Sequence, residues 1–134
     1  MQHYTVGQAA RVLGVSPDTA RRWADAGRLA TQREGPEGAG RRLIDGRDLA
    51  AFAADLAQRI PAEDPPVHSS VRNSFPGIIT AVKLGDVAAQ VEIQAGPHRL
   101  VSLLTREAAE ELGLEVGMQA TARVKSTSVH IDCP

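Results

Sequence analysis

Apolar residues recur with two different periods along this chain, and the period changes near residue 77. Before that point they recur every three to four positions, which is the spacing along one face of an α-helix. From Gly77 onward they recur at every second position, which is the spacing along one face of a β-strand. The pattern therefore predicts a helical N-terminal half and a strand-rich C-terminal half.

Three helices are predicted in the N-terminal half from the residues at their ends. The first has a capping box and a glycine stop after Leu13. The second has a serine N-cap, a proline at its first position and a glycine stop, and the third has an aspartate N-cap. In chain order, these signals are carried by Thr5, Gln8, Gly14, Ser16, Pro17, Gly27 and Asp45. The apolar stripe of the third helix comprises Leu49, Phe52, Ala53, Leu56 and Ile60.

The first two helices are joined by a tight turn and match a helix-turn-helix pattern. Trp23 falls on the inner face of the second helix together with Ala20 and Ala24, so we expect it in the core. A flexible turn over 34–40 then precedes Arg41-Arg42-Leu43-Ile44. This order predicts a small hairpin whose returning strand carries two arginines.

Turn signals divide the C-terminal half into short strands. Strands are predicted over 78–83, 87–94, 99–104 and 119–125, with a candidate fifth over 128–131. Thr105 caps a short helix that ends at Gly113. Four or five short strands with one helix in about 65 residues predict a small OB-like barrel.

The two halves are separated by residues 61–68, which hold three prolines within six positions. Proline at this density favours an extended linker. We therefore predict a two-domain α+β protein, with a winged helix-turn-helix over 1–60 and the barrel over 69–134. A barrel of this size has little core of its own, so we expect association with other copies.

Charge differs between the two halves, although the whole chain has a formal net charge of only −1. Residues 1–60 hold nine arginines against seven acids, a balance of +2. Residues 61–134 hold six basic residues against nine acids, a balance of −3. The near-neutral total excludes a generally basic nucleic-acid coat, and the asymmetry indicates different partners for the two halves.

Several classes of protein find no support in the sequence. Cys133 is the only cysteine, so neither a disulfide framework nor a cysteine metal cluster is expected within one chain. No apolar run approaches the roughly 18–20 residues that span a membrane, and the polar N-terminus is unlike a signal peptide. No nucleophile–base pair, glycine-rich phosphate loop or paired-carboxylate motif is present. We therefore expect a cytoplasmic protein that is not an enzyme and has no membrane partner.

Residues 69–78 combine three hydroxyls, a guanidinium and an amide, and lead directly into the first predicted strand. A cation and several neutral donors packed this closely make half of an oxyanion-binding site. The best candidate for the other half lies far downstream, at 124–128, and includes a lysine and further hydroxyls.

Three N-terminal segments, 5–10, 15–29 and 40–42, together resemble the MerR/excisionase-type winged helix-turn-helix, close to its short BldC-like variety. In that family the second helix enters the major groove of DNA and the wing touches the DNA backbone. The chain lacks the long dimerisation helix that follows the wing in family members that sense small molecules. The resemblance implies groove contacts by Thr19, Arg21 and Arg22, and phosphate contacts by Arg41 and Arg42.

Three C-terminal segments, 69–78, 104–117 and 124–129, resemble the Mop (molbindin, TOBE-type) domain of molybdate-binding proteins and ModE-type regulators. In that family, domains pair by strand exchange and bind molybdate or tungstate between subunits. The resemblance implies a site made by Ser70 and Arg72 of one subunit with Thr105, Lys125 and Ser126 of its neighbour.

The residue types suit that ligand, because molybdate is a tetrahedral dianion. The guanidinium and the ammonium supply two positive charges, and the three hydroxyls supply hydrogen bonds. Free backbone N–H groups over 105–108 are expected to add the positive end of a helix. Many family members carry a second hydroxyl where this chain has Ala108, and one lost hydrogen bond costs roughly 1–3 kcal/mol.

The sequence thus predicts a molybdate- or tungstate-responsive DNA-binding transcriptional regulator that self-associates, as a dimer or hexamer, through its Mop domain. One alternative is a molybdate storage or buffering oligomer that does not bind DNA. The modest +2 balance of residues 1–60 keeps that alternative open, since non-specific DNA affinity depends on phosphate neutralisation. Another is an excisionase-like architectural DNA-binding protein with a vestigial barrel.

Overall fold

A computed structural model describes residues 2–35, 40–59 and 69–134. The chain divides into two compact units, Met1–Pro65 and Pro66–Pro134. The predicted linker over 61–68, Ile60 and part of the predicted hairpin turn lie outside the described residues. The domain bounds therefore stay a prediction.

The N-terminal unit contains three helices and three short strands. In chain order the elements are β1 (His3–Thr5), α1 (Val6–Leu13), α2 (Pro17–Asp25), β2 (Gln32–Arg33), β3 (Arg42–Asp45) and α3 (Gly46–Gln58). The structure confirms the three predicted helices. They could be predicted because their ends depend on capping by side chains that are close in sequence. Thr5 and Gln8 make the reciprocal capping box, and the backbone N–H of Thr19 donates to the Ser16 hydroxyl.

Strand β1 was not predicted from the sequence. It pairs antiparallel with β3, which also pairs with β2, so β3 is the central strand of a three-stranded sheet. Three residues are too few to show a period, and the capping box directly after them is the stronger local signal. The pairing joins the start of the chain to the returning strand of the predicted hairpin.

The core of the N-terminal unit lies between the helices and this sheet. Its fully buried cluster comprises Ala9, Leu29, Ile44 and Leu49. Trp23 packs against this cluster, with its ring centroid 5.2 Å from that of Phe52, so its predicted core position is confirmed. The Arg28 guanidinium lies 5.9 Å from the centroid of the Trp23 ring, within the range of a cation–π contact.

The C-terminal unit contains four antiparallel strands in the order β6-β5-β4-β7 and one short helix. The elements are β4 (Asn73–Leu84), β5 (Ala88–Ala95), β6 (His98–Thr105), α4 (Arg106–Leu112), β7 (Gln119–Val124) and a 3₁₀ turn (Ser126–Ser128). The candidate fifth strand over 128–131 is wrong, because the chain turns at Ser126–Ser128 and has no regular structure after it.

Strand β4 begins at Asn73, before the position that the alternating pattern indicated, and it changes its pairing partner midway. Residues 73–78 pair with β7, whereas 78–84 pair with β5. Proline is tolerated at position 76 because this part of β4 does not pair with β5, so no backbone N–H is needed on the side that faces away from β7. At Gly77 a Cβ atom would lie 2.3 Å from the Gln94 carbonyl oxygen, so only glycine fits where the partner changes.

The core of the C-terminal unit lies on one face of the sheet and is small. Ile79, Val91 and Ile93 are buried in it, and Leu104 and Leu114 pack against them. Within the described residues of one copy, β6 and β7 are edge strands that do not pair with each other, so the sheet is open. The molecule is thus of mixed α/β class, with a helical N-terminal unit and a β-rich C-terminal unit.

None of the helices in the described residues is long and apolar enough to cross a membrane. No group of three or more histidine, cysteine or acidic side chains in the same part of the chain could hold a metal ion.

Candidate functional site

The outer face of α2 carries the residues predicted to enter a DNA groove. Arg21 and Arg22 are exposed, and Arg22 Nη2 donates to the Thr19 hydroxyl at 3.3 Å. The Thr19 hydroxyl also shares a 2.9 Å hydrogen bond with Ser16 at the helix start. Arg21 Nη1 lies 3.1 Å from Asp18 Oδ1, and both side chains are largely exposed. A pair this exposed is worth little in water, so Arg21 can exchange Asp18 for a phosphate.

The two arginines predicted for the wing have different environments. The Arg41 side chain is 74% exposed, and its Nη2 is 3.7 Å from Glu34 Oε2. The Arg42 side chain is 28% exposed, and its Nη1 is 2.5 Å from Asp25 Oδ1 at the end of α2. Arg41 is therefore available to solvent, whereas Arg42 is engaged within the protein.

In the C-terminal unit, two of the predicted oxyanion-binding segments lie side by side at one end of the sheet. The last residue pair of the β4–β7 ladder is Asn73 with Val124. Continuing that register by one residue sets Arg72 opposite Lys125, and both side chains are exposed. Opposite residues of antiparallel strands share a face, and like charges in that position repel each other. The arrangement therefore concentrates positive charge where an anion would relieve the repulsion.

Asn73 links the segment that carries Arg72 to the segment that carries Lys125 through a hydrogen bond. Its side-chain amide donates to the Val124 carbonyl oxygen at 3.1 Å and is part-buried. Ser69 is also occupied, because its hydroxyl accepts from the Val71 N–H at 3.1 Å. Ser70 and Ser126 flank the two charges in sequence and are exposed. The exposed hydroxyls are therefore close to the charged residues in sequence. Ser69 and Asn73 instead form hydrogen bonds with the backbone.

Thr105 lies far from this end of the sheet in the same copy. It pairs with Ala88, just beyond the opposite end of β4. The twelve residues of β4 give a path of about 36 Å along the strand at about 3.3 Å per residue. The predicted residues therefore fall into two groups within one copy: Ser70, Arg72, Lys125 and Ser126 at one end, and Thr105 at the other.

The helix end at Thr105 offers fewer free amides than the sequence indicated. The Ala108 N–H donates to the Thr105 hydroxyl at 3.0 Å, and the Arg106 N–H donates to the Val87 carbonyl oxygen at 2.8 Å. The expectation of free N–H groups over 105–108 is therefore wrong for Arg106 and Ala108. Because the Thr105 oxygen accepts from Ala108, its own O–H remains a donor toward a ligand.

An ion pair between β5 and β6 shifts the pKa values of both its members. Glu92 of β5 pairs with Arg99 of β6 on the face of the sheet opposite the core. The hydrogen bond from the Arg99 guanidinium holds the pKa of Glu92 below its ordinary value. The same pair raises the pKa of Arg99. This ion pair joins two neighbouring strands.

Sequence reasoning missed the roles of two residues. On the sequence alone, Asp25 has no assigned role and the Asn73 amide counts only as a donor in the anion cluster. For Asp25 a signal was present, because an acid in the last turn of a helix is unfavourable beside the negative end of the helix dipole. For Asn73 there was none, because its partner Val124 is distant in sequence.

Two family models match separate parts of this chain. Residues 69–131 match the family model of the TOBE domain, and residues 4–57 match that of a helix-turn-helix domain. Molybdenum-pterin-binding protein 2 of Clostridium pasteurianum is 40% identical over 63 residues, which are 46% of this chain and 93% of that protein. The chain belongs to the TOBE-domain family of molybdenum-pterin-binding proteins.

Longer relatives of this TOBE-domain family match only in part. The Molybdenum transport protein ModE of Herbaspirillum seropedicae is 40% identical over 62 residues, 46% of this chain. That of Azotobacter vinelandii is 33% identical over 87 residues, 64% of this chain. The chain spans only 23% and 30% of these two relatives.

A solved structure, MopII from Clostridium pasteurianum in an apo form, is similar to half of the chain. It is 37% identical, with a TM-score of 0.47, and covers 49% of this chain and all of that one. Membership of the TOBE-domain family rests on the sequence matches.

Proposed function

We propose that this protein is a molybdate-responsive DNA-binding transcriptional regulator. The observation that supports the proposal is the β4–β7 ladder, which ends at the Asn73–Val124 pair, so that the exposed Arg72 and Lys125 each follow directly from it. The family match supports the ligand class, since relatives over the same residues are named as molybdenum-pterin-binding proteins. The helix-turn-helix match over residues 4–57 supports the DNA-binding part.

The chemistry of the site fits a tetrahedral dianion. Two cations neutralise its charge, and charge-assisted hydrogen bonds from a guanidinium are about twice as strong as neutral ones. The hydroxyls of Ser70, Ser126 and Thr105 donate to the remaining oxygens. Molybdate and tungstate have the same shape and charge, so the site accepts both. We expect discrimination against the smaller sulfate to come from cavity size, because the donor types suit all three anions.

The complete site forms between copies of the chain. Within one copy, Thr105 lies beyond the far end of β4 from Arg72, a path of about 36 Å along the strand. A second copy supplies it. If the copies exchange β7, the identical strand pairs with β4 in the same register, so a Lys125 still faces Arg72. Pairing of the open sheet edges between copies would complete the OB-like barrel that the strand pattern predicts.

The DNA-binding part follows the MerR-type winged arrangement. We propose that α2 enters the major groove with Arg22 toward base edges, and that Arg21 contacts phosphate. Thr19 holds Arg22 in place through their hydrogen bond and lies in the groove with it. Arg41, exposed on the returning strand of the hairpin, contacts the DNA backbone.

Anion binding acts through the oligomer. Joining copies through their C-terminal units places several helix-turn-helix units in one particle, which raises the avidity for DNA that carries repeated half-sites. The anion shifts the population toward this particle only as far as it binds that arrangement more tightly than the separate copies. DNA affinity is thereby linked to molybdate.

Titration calorimetry on the full chain with molybdate, tungstate and sulfate tests the ligand. We expect saturable heat with the first two anions and at least about tenfold weaker binding of sulfate, a difference of about 1.4 kcal/mol. Absence of heat from all three anions would refute the oxyanion site.

Fluorescence anisotropy with a labelled random-sequence duplex of about 30 base pairs, at about 50 mM salt, tests DNA binding. We expect binding that weakens in the Arg22→Ala and Arg41→Ala variants and strengthens with added molybdate for the unchanged protein.

The alternative function, a molybdate storage or buffering oligomer, draws support from one observation. Three of the four arginines assigned to DNA have acidic partners, namely Arg21 with Asp18, Arg41 with Glu34 and Arg42 with Asp25. Each partner reduces the positive charge offered to phosphate. The storage function predicts normal molybdate binding with no DNA binding even at low salt.

A further inference from the structure

The Asp25–Arg42 ion pair connects the helix and the strand that the proposed function assigns to DNA. Asp25 is the last residue of α2, and Arg42 is the first residue of β3. Arg42 Nη1 lies 2.5 Å from Asp25 Oδ1. The Arg42 side chain is the least exposed of the six arginines that form ion pairs in the described part of the chain. The contact spans 17 residues of sequence, so it is a tertiary contact between two elements.

Asp25 is in an unfavourable position unless a cation accompanies it. A carboxylate at the C-terminal end of a helix faces the negative end of the helix dipole. A carboxylate on a helix that enters a DNA groove also repels phosphates. The Arg42 guanidinium offsets both effects, and it does so from β3, the central strand of the three-stranded sheet.

The neighbouring arginine is placed differently. Arg41 directly precedes β3, and its Nη2 is 3.7 Å from Glu34 Oε2, whereas Arg42 contacts α2. Arg41 is 74% exposed, against 28% for Arg42. Arg42 lies opposite Arg33 in the β2–β3 strand pairing, so an ion pair that fixes Arg42 also fixes the hairpin.

We propose that Arg42 is a positioning residue that fixes the wing hairpin to α2, and that only Arg41 of the two wing arginines contacts phosphate. This inference rests on the proposed DNA-binding function and revises the role that the family resemblance gives Arg42. The ion pair sets the angle at which the hairpin and α2 meet the duplex together.

A charge swap separates positioning from phosphate contact. An arginine that contacts phosphate is needed at its own position, whereas a positioning pair works in either orientation. Binding of the random-sequence duplex of about 30 base pairs at about 50 mM salt is compared for Arg42→Asp, Asp25→Arg and the double variant. We expect Arg42→Asp to weaken binding at least tenfold and the double variant to return to within about threefold of the unchanged protein.

Thermal unfolding of the same variants provides a second readout. We expect Arg42→Asp to lower the Tm of the N-terminal unit by about 4 °C and the double variant to restore it. Arg59→Ala is the matched control, because Arg59 forms an exposed ion pair with Asp55 at 3.0 Å within α3. Its loss should shift the Tm by less than about 2 °C, as exposed pairs contribute little.

The possible failures are distinguishable. A double variant that regains its Tm but binds the duplex as weakly as Arg42→Asp overturns the positioning role, because Arg42 then acts on phosphate. A double variant that regains neither quantity overturns it as well. If the unchanged protein does not bind the duplex, the proposed DNA-binding function fails, and with it the role of the ion pair in positioning a DNA contact.

Discussion

The two units of this chain differ in how completely each one buries its own apolar residues. In the N-terminal unit, helices and sheet enclose Leu29 and Ile44, which are 1% and 0% exposed. Among the described residues, ten of the eleven exposed large apolar side chains belong to the C-terminal unit, and Val12 is the exception. The C-terminal sheet also has two open edges. One unit completes its core within a single copy, whereas the other leaves apolar surface uncovered.

The same difference applies to the candidate sites. The residues assigned to DNA lie together within one N-terminal unit, on α2 and the adjacent hairpin. The residues assigned to the oxyanion are divided between the two ends of β4, so one C-terminal unit holds an incomplete site. We infer that association of copies supplies both the missing apolar cover and the missing hydroxyl. Four predictions test this contrast.

The largest effect is expected from a methyl group added to a glycine in each unit. Gly77→Ala puts a Cβ atom 2.3 Å from the Gln94 carbonyl oxygen, so β4 or β5 must shift. We expect the C-terminal unit to lose about 3 kcal/mol of unfolding free energy, the upper range for overpacking. Urea unfolding followed by circular dichroism measures the loss.

Gly7→Ala is the control in the N-terminal unit. No atom lies within 4 Å of the added methyl group, and Gly7 is helical. Alanine there should stabilise the unit by up to about 1 kcal/mol. If Gly77→Ala and Gly7→Ala changed the free energy of unfolding equally, the close approach of Gly77 to Gln94 of β5 would be contradicted.

The second prediction concerns the charge at the end of the sheet. Arg72→Ala and Lys125→Ala should each weaken molybdate binding at least about 100-fold, or 2.7 kcal/mol, because each leaves a dianion facing one cation. Arg72→Lys keeps the charge but loses the planar donor fork, so its loss should be smaller. Titration calorimetry gives the affinities.

Arg11, an exposed arginine of α1, provides the matched control. It belongs to the N-terminal unit, whereas the candidate anion site belongs to the C-terminal unit. Arg11→Ala should bind molybdate within about threefold of the unchanged protein. If Arg11→Ala and Lys125→Ala weakened binding equally, the anion would respond only to total charge, and the site at the β4–β7 end would be refuted.

The third prediction compares one exposed apolar side chain from each unit. Leu103 lies on the edge strand β6 and is 76% exposed, and Val12 on α1 is 60% exposed. If association covers β6, Leu103→Ser should raise the dissociation constant of the oligomer about tenfold, or about 1.4 kcal/mol. Val12→Ser should leave it unchanged. Sedimentation equilibrium measures both, and equal constants would exclude β6 from the contact.

The smallest effect is expected from the Glu92–Arg99 ion pair. The Arg99 hydrogen bond lowers the pKa of Glu92 from its ordinary 4.5, so the folded state favours the charged carboxylate. The resulting stabilisation is present above the ordinary pKa and is lost as the pH falls through the lowered one. Glu92→Gln should therefore lose less stability on acidification below pH 4.5 than the unchanged protein. Thermal unfolding at several pH values tests this, and identical slopes would contradict it.

Features that depend on neighbouring residues were predicted well from the sequence. The ends of α1, α2 and α4 follow from caps and glycine stops within three residues of each end. The strands β5 and β6 follow from alternation of apolar residues. These signals are local, so the chain carries them without reference to the rest of the fold.

Features that depend on distant residues were predicted poorly. The Pro76-Gly77 pair reads as a break in the sequence, yet β4 runs through it because its partner changes there. The fifth strand was wrong because a strand needs a partner, and residues 128–131 have none among the described residues. The sequence indicates a free Ala108 N–H, whereas in the structure this N–H donates a hydrogen bond to the Thr105 hydroxyl.

The sequence by itself determined the kinds of elements and the residue types available to bind an anion and DNA. Capping, turn formation and alternation are short-range, and Arg72, Lys125 and their serines can be recognised as donors wherever they lie. Only the tertiary structure decided which of them meet. Strand pairing brings the segments that carry Arg72 and Lys125 to one end of the sheet and Thr105 to the far end, because register is fixed by packing across strands that are distant in the chain.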